Sequence, residues 1–191
     1  MDNIANFLFE VGMLGKTPRT GYQFLGSGRE SVAEHILRTV FVGYTLCKMD
    51  DSLDEQCVLK MCLFHDLPEA RTGDMNYVNK KYVDVDEEKA VRELTEDLYF
   101  GSDIKSSIDD FNRKETKEAL IARDADQISL ILQLKEHGDL GNKYAKEWID
   151  FALQRLSTEE GKKLAQKIVE TDSSDWWFKD KSDWWVNGNK K

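Results

Sequence analysis

Residues 63–74 read Leu-Phe-His-Asp-Leu-Pro-Glu-Ala-Arg-Thr-Gly-Asp, a run dense in groups that bind metals or move protons. His65 and Asp66 stand side by side at the end of a segment, Cys57–Phe64, that is apolar on almost every face. Glu69 and Asp74 follow across a proline and a glycine. A charged or strongly polar side chain in apolar surroundings is costly unless it is paired or bound to a cation. Two further residues raise the same problem. His35 shares a helix face with Val32, Ile36, Thr39 and Val40, and Asp126 is flanked by Ala122, Ala125, Ile128 and Leu130. Three separate helices thus each carry a polar group that needs a partner, and one divalent metal satisfies all of them.

Adjacent helical residues point about 100° apart, so His65 and Asp66 converge on one ion only within a groove between other helices. Two imidazoles and two carboxylates form a mixed nitrogen and oxygen set. Such a set suits Mn, Co, Fe, Ni or Zn, with positions open to water and substrate, and Mg remains a further choice. Calcium would take oxygen ligands only, and a structural zinc would usually take thiolates. Asp124, also with apolar neighbours, competes with Asp126 as the fourth ligand. His137 lies about 16 Å further along the same helix, too far to share the ion. It is expected as a cation near the helix C-terminus, with Gly138 as the residue just past the end.

The elements that must position these groups read as helices throughout. Residues 3–14 carry an amphipathic pattern through Ile4, Phe7, Leu8, Val11 and Leu14. A glycine- and serine-rich loop follows. Ser31 and Glu34 form a capping box that starts a helix to about Met49 and puts His35 in its first turn. Ser52 to Glu55 repeats the signature and starts the helix that ends at His65 and Asp66. Residues 86–100, 112–137 and 142–156 read as three more helices, and residues 157–160 cap a last one to about Glu170. The tail beyond, with Trp176-Trp177 and Trp184-Trp185, has no helical period. The expectation is an all-α fold, a single helical bundle over residues 1–170, with a Trp-rich tail, 171–191, packing on the domain or on a second copy.

Composition bounds the function. The chain of 191 residues, 40% apolar and 33% charged, fits one domain with a real core. It has no run of about twenty uncharged apolar residues for a membrane span. The first residues carry two acids and no base before Lys16, which argues against a secretory signal. Cys47, Cys57 and Cys62 show no CxxC spacing and read as reduced, buried thiols of a cytoplasmic protein. A net charge of −9 opposes association with nucleic-acid polymers or anionic membranes. It permits an anionic small substrate, because a metal and an arginine invert the field locally.

The order His35, His65-Asp66, Asp126 resembles the H…HD…D signature of the HD-domain metal-dependent phosphohydrolases. The surrounding words, Glu-Ser-Val-Ala-Glu-His, His-Asp-Leu-Pro-Glu-Ala-Arg-Thr-Gly-Asp and Ala-Arg-Asp-Ala-Asp-Gln, are similar to the branch of the YfbR-type 5′-deoxynucleotidases. The likeness spans about residues 4 to 135. It implies an HD-domain helical bundle, one divalent metal on the four ligands, and hydrolysis of deoxynucleoside 5′-monophosphates by a homodimer. It favours Asp126 over Asp124, and three histidines in the chain are too few for the two-metal subgroups. By the same resemblance Glu69 is the catalytic acid or base and Asp74 lies beside the sugar. Arg19 maps to the phosphate-binding arginine of the loop, although this chain reads Pro-Arg-Thr-Gly-Tyr where an Arg-Trp pair stands in the nucleotidases. Arg19, Tyr22 and Arg71 are therefore candidates for substrate binding. Two other readings stand beside this one: an HD phosphohydrolase of triphosphates or signalling nucleotides, and a noncatalytic metal-binding module.

Overall fold

A computed structural model describes residues 1–179 and 184–188. The helices are α1 (Asp2–Val11), α2 (Tyr22–Leu25), α3 (Val32–Met49), α4 (Glu55–Phe64), α5 (Glu69–Thr72) and α6 (Glu87–Thr95), then α7 (Gly101–Arg113), α8 (Lys117–Asp139), α9 (Ala145–Leu153), α10 (Glu159–Glu170), α11 (Asp175–Phe178) and α12 (Trp184–Asn187). Among the described residues the sole strand-like pairing is an isolated bridge between Pro18 and Ser31. The fold is all-α.

Helix α8 is the axis. Its buried residues include Ile121, Ala122, Asp124, Ala125, Ile128, Ile131 and Leu134, which together occupy most of its circumference. Such a helix has to be surrounded, and α3, α4, α7, α9 and α10 pack against it. Gly43 of α3 sits where an added Cβ would lie 2.7 Å from the Cys62 sulfur, so α3 and α4 approach closely there. A second apolar cluster, with Val32, Ile36, Leu67, Leu94, Ile104 and Ile108, joins α3 to the opposite flank of α6 and α7. The metal-ligand candidates on α3, α4 and α8 therefore meet where the most buried helices cross.

The capping box is present as expected. The Glu34 N–H donates to Ser31 Oγ at 3.2 Å, and the Ser31 N–H donates to Glu34 Oε2 at 2.7 Å. Other boundaries differ from the sequence reading. The cap of α4 is Asp54, which accepts from the Cys57 N–H, while Ser52 turns back to Asp50. The expected helix 86–100 stops at Thr95, whose hydroxyl bonds back to the Val91 carbonyl, and the chain turns tightly into α7. Gly101 is required at that turn, since a Cβ there would lie 2.0 Å from the Thr95 carbonyl oxygen. Helix α7 falls mostly in residues 101–111, to which no helix was assigned. The next helix starts at Lys117, capped by Thr116, rather than at 112, after Lys114 takes a left-handed conformation with φ 60°. At its other end α8 runs through Gly138 to Asp139, so Gly138 is not the terminating residue.

The tail contains two short helical turns, α11 and α12, where no helix was expected. Trp176 is 86% exposed. Part of the tail, residues 180–183 and 189–191, lies outside the described residues. Ile128 is fully buried on α8, and the Ile128→Ala variant should lose about 2–5 kcal/mol of stability to the cavity it leaves. Urea denaturation measures it; a loss below about 1 kcal/mol would contradict the placement of α8 at the centre.

Candidate metal centre and cleft

The cap of α3 fixes His35, which is fully buried. Its Nε2 lies 3.0 Å from Asp126 Oδ1 and 3.6 Å from Asp66 Oδ2. His65, also buried, places its Nε2 at 3.3 Å from Asp66 Oδ2 and 4.0 Å from Asp126 Oδ1. The four residues expected as ligands thus converge, from α3, the end of α4 and the middle of α8. Ligand atoms of His35, His65 and Asp126 all lie within 4.8 Å of one another.

The donor chemistry fits a divalent cation. His65 Nδ1 is 2.9 Å from the Cys62 carbonyl, which can only accept, so Nδ1 donates there and Nε2, facing the cluster, is the nitrogen that gives up its proton to free a lone pair for a cation. That buried Nε2 has no hydrogen-bond partner among the described residues. His35 also turns its Nε2 inward, 3.0 Å from Asp126 Oδ1, with its outer Nδ1 3.1 Å from the Ser129 hydroxyl. Asp126 Oδ2 accepts from Gln127 Nε2 at 2.9 Å, leaving Oδ1 toward the imidazoles. Asp124 is placed otherwise. It accepts from the Ser157 and Thr158 N–H groups at 2.9 and 2.8 Å and from the Thr158 hydroxyl, anchoring the start of α10. Asp124 is thus engaged at α10, while Asp126 faces the imidazoles.

Titration follows the same geometry. Burial raises the Asp66 and Asp126 pKa values, but the neighbouring imidazoles outweigh it and hold both carboxyls far below the usual range. Burial lowers His65, yet Asp66 and Asp126 overcome it and keep its pKa up at about 9. His35 is lowered, by burial and by the Arg19 guanidinium. With no cation bound, the cluster retains one proton, on His65, to balance two carboxylates.

Arg19 is held at the rim. Its N–H bonds the Glu30 carbonyl at 2.9 Å, beside the Pro18–Ser31 bridge. Its Nη1 reaches Asp66 Oδ2 at 3.2 Å and Asp74 Oδ1 at 3.8 Å. Asp74 does not cap a following helix; its Oδ2 accepts from the Thr20 N–H and hydroxyl, which ties the Arg19 loop to the segment after α5. Glu69, on α5, faces the cluster. Its Oε2 is buried without a partner among the described residues, and burial first, then Asp66 and Asp74, push its pKa up to about 9. A cleft of about 180 Å³ is lined by Arg19, Tyr22, Asp66, Glu69, Asp74 and Asp126. Tyr22 also stands edge-on to His137 at 5.4 Å, so His137 serves as a packing surface behind the cleft.

Arg71 is not brought to the site. It is on the outer side of α5, paired with Glu10 and Glu93. Residues that sequence reasoning passed over do reach the cleft: Lys80, Asn76, Gln127 and Trp148. Gln127 adjoins Asp126 in the matched phrase and could have been flagged; Lys80 and Trp148 had no local signal.

The HD-domain family matches residues 11–169. The chain belongs to that family. Similar curated proteins include the 5′-deoxynucleotidase HDDC2 of Bos taurus, 30% identical over 149 residues, covering 74% of this chain and 71% of the relative. The 5′-deoxynucleotidase hdd1 of Schizosaccharomyces pombe is 28% identical over 145 residues, covering 71% and 72%. Among solved structures, a conserved hypothetical protein from Pyrococcus furiosus aligns with TM-score 0.76 at 24% identity, covering 87% of this chain and 99% of that one. A protein from Pyrococcus horikoshii OT3 aligns with TM-score 0.71 at 24% identity, covering 87% and 98%. Both support the HD-domain helical fold.

Because a cation must displace the His65 proton, divalent-metal affinity is expected to rise about tenfold per pH unit below pH 9 and to level off above it. Calorimetry with Mn²⁺ in buffers of different ionisation enthalpy should count one proton released at pH 7.5. A flat affinity profile would contradict the charge balance. The His65→Ala variant should weaken metal binding by more than the roughly 10–100-fold that losing a hydrogen-bond partner of a ligand costs.

Proposed function

We propose that the chain is a metal-dependent 5′-deoxynucleotidase, hydrolysing deoxynucleoside 5′-monophosphates to deoxynucleoside and phosphate. The carrying observation is the convergence of His35, His65, Asp66 and Asp126 with the buried, unpartnered Glu69 Oε2 at one cleft. The 5′-deoxynucleotidase relatives give the substrate class.

Phosphate-ester hydrolysis needs charge neutralised on the nonbridging oxygens and a water in line with the leaving oxygen. His35, His65, Asp66 and Asp126 would hold a divalent ion of the Mn, Co, Fe, Ni, Zn or Mg group, which would supply that positive charge and acidify water at the site. Arg19 adds a fixed guanidinium whose remaining donors can fork onto phosphate oxygens. Glu69 takes a proton from the attacking water or donates one to the leaving 5′-oxygen. Asp74, with Oδ2 engaged by Thr20, keeps Oδ1 for the sugar 3′-hydroxyl. Tyr22 forms part of the wall against which sugar and base lie.

The reading extends to assembly and location. A homodimer is proposed on the exposed apolar stripe of α3, where Leu37 is 60% and Phe41 66% exposed. Spaced four residues apart, they lie on one helix face. The exposed Trp176 of the tail offers a second copy further apolar area. Among the described residues no helix is long and apolar enough to cross a membrane. With three free cysteines, this supports a cytoplasmic assignment.

The test is phosphate release from a nucleotide panel with Mn²⁺ or Co²⁺. Deoxynucleoside monophosphates are expected as substrates over ribonucleotides and triphosphates; equal turnover of ribo- and deoxyribonucleotides, or of triphosphates alone, would refute the specific claim. Glu69→Gln should lower kcat by about 10²–10⁴ while metal and nucleotide still bind. Loss of the metal in that variant would instead make Glu69 a ligand.

A further inference from the structure

A second cavity, of about 420 Å³, is lined by Phe24, Tyr77, Tyr144, Trp148, Phe151 and Arg155. It adjoins the metal cleft, since Tyr77, Leu130 and Trp148 line both. Ligand pockets typically span about 300–1,000 Å³. At about 180 Å³ the metal cleft is below that range and suits a phosphate and a sugar, while the annex supplies the missing volume. Its walls are aromatic: Phe24 and Trp148 stand 6.4 Å apart at 51°. Arg155 closes its rim, its guanidinium 4.9 Å over the Tyr77 ring.

Arg155 is set for recognition. Its Nη1 donates to the Tyr77 hydroxyl and, at 3.2 Å, to Gln127 Oε1. Gln127 in turn donates to Asp126 Oδ2 at 2.9 Å, so the rim is connected by hydrogen bonds to a metal-ligand candidate. Nε and Nη2 of Arg155 donate to no atom of the described residues, and a guanidinium carries donors and no acceptor.

We propose that this annex is a nucleobase subsite, with Trp148 as a stacking surface and Arg155 donating to an exocyclic carbonyl oxygen of the base. The assignment rests on the nucleotide reading of the neighbouring cleft and goes beyond it by naming the base contacts. Aromatic faces accept any base, so discrimination falls to the arginine. Thymine, uracil, guanine and cytosine each present a carbonyl; adenine presents none. Gln127, bonded on both sides, is a positioning residue that holds Arg155 in register with Asp126.

Calorimetric titration of the metal-loaded protein with thymidine and deoxyadenosine tests the subsite without catalysis. Thymidine is expected to bind about tenfold or more tighter than deoxyadenosine, the scale of one charged hydrogen bond. R155A should erase that ratio; circular dichroism confirms its folding, and a ratio is insensitive to partial loss of active protein. Trp148→Phe, which keeps an aromatic face, should retain the ratio. Equal affinities in the wild type, no detectable thymidine binding, or a ratio that survives in R155A would overturn the proposal. Phosphate release from deoxynucleotides is read separately. Its absence would refute the nucleotidase reading and leave a measured thymidine preference standing, whereas turnover without base preference would do the reverse.

Discussion

Two imidazoles and two carboxylates share one small volume in the interior of the bundle, and the rest of the molecule is arranged around that electrostatic constraint. Buried carboxylates require nearby positive charge. Arg19 at the rim supplies part of it, and His65 holds a proton when no cation is present. Each imidazole is oriented by a bond at its outer nitrogen, to the Cys62 carbonyl or the Ser129 hydroxyl, so that Nε2 faces inward.

The helices serve this cluster by rigidity. Helix α8, buried on most sides, delivers Asp126; α3, capped at Ser31, delivers His35; α4 ends at His65 and Asp66. A ligand set carried by three packed helices keeps its geometry better than one carried by loops. The groups expected to meet substrate, Arg19, Glu69 and Asp74, come from the short segments around them, tied by the Thr20–Asp74 bonds. The residues proposed to hold metal thus come from packed helices, and those proposed to meet substrate from the short segments beside them.

Much of this is legible in the sequence because it is local. The capping box states where His35 stands, and a polar residue inside an apolar helical face announces itself, as Asp126 does. What was misread depends on tertiary structure. Helix α7 places Ile104, Ile108 and Phe111 on one face, but serine and aspartate dilute the pattern and its start is a glycine. Arg71 is only two residues from Glu69, yet the single turn of α5 sends it outward to Glu10 and Glu93. Lys80 and Trp148 reach the cleft from distant segments, and no spacing rule connects them to His65.

The central claim is that a divalent ion is held by both histidines and both aspartates. Pulsed electron paramagnetic resonance of the Mn²⁺-loaded protein tests it most directly, since imidazole nitrogens coordinated to the ion modulate the echo. One ion per chain with modulation from two nitrogens, reduced to one in His35→Ala or His65→Ala, is the result expected. Mn²⁺ bound without nitrogen modulation, or no stoichiometric binding at neutral pH, would contradict the account.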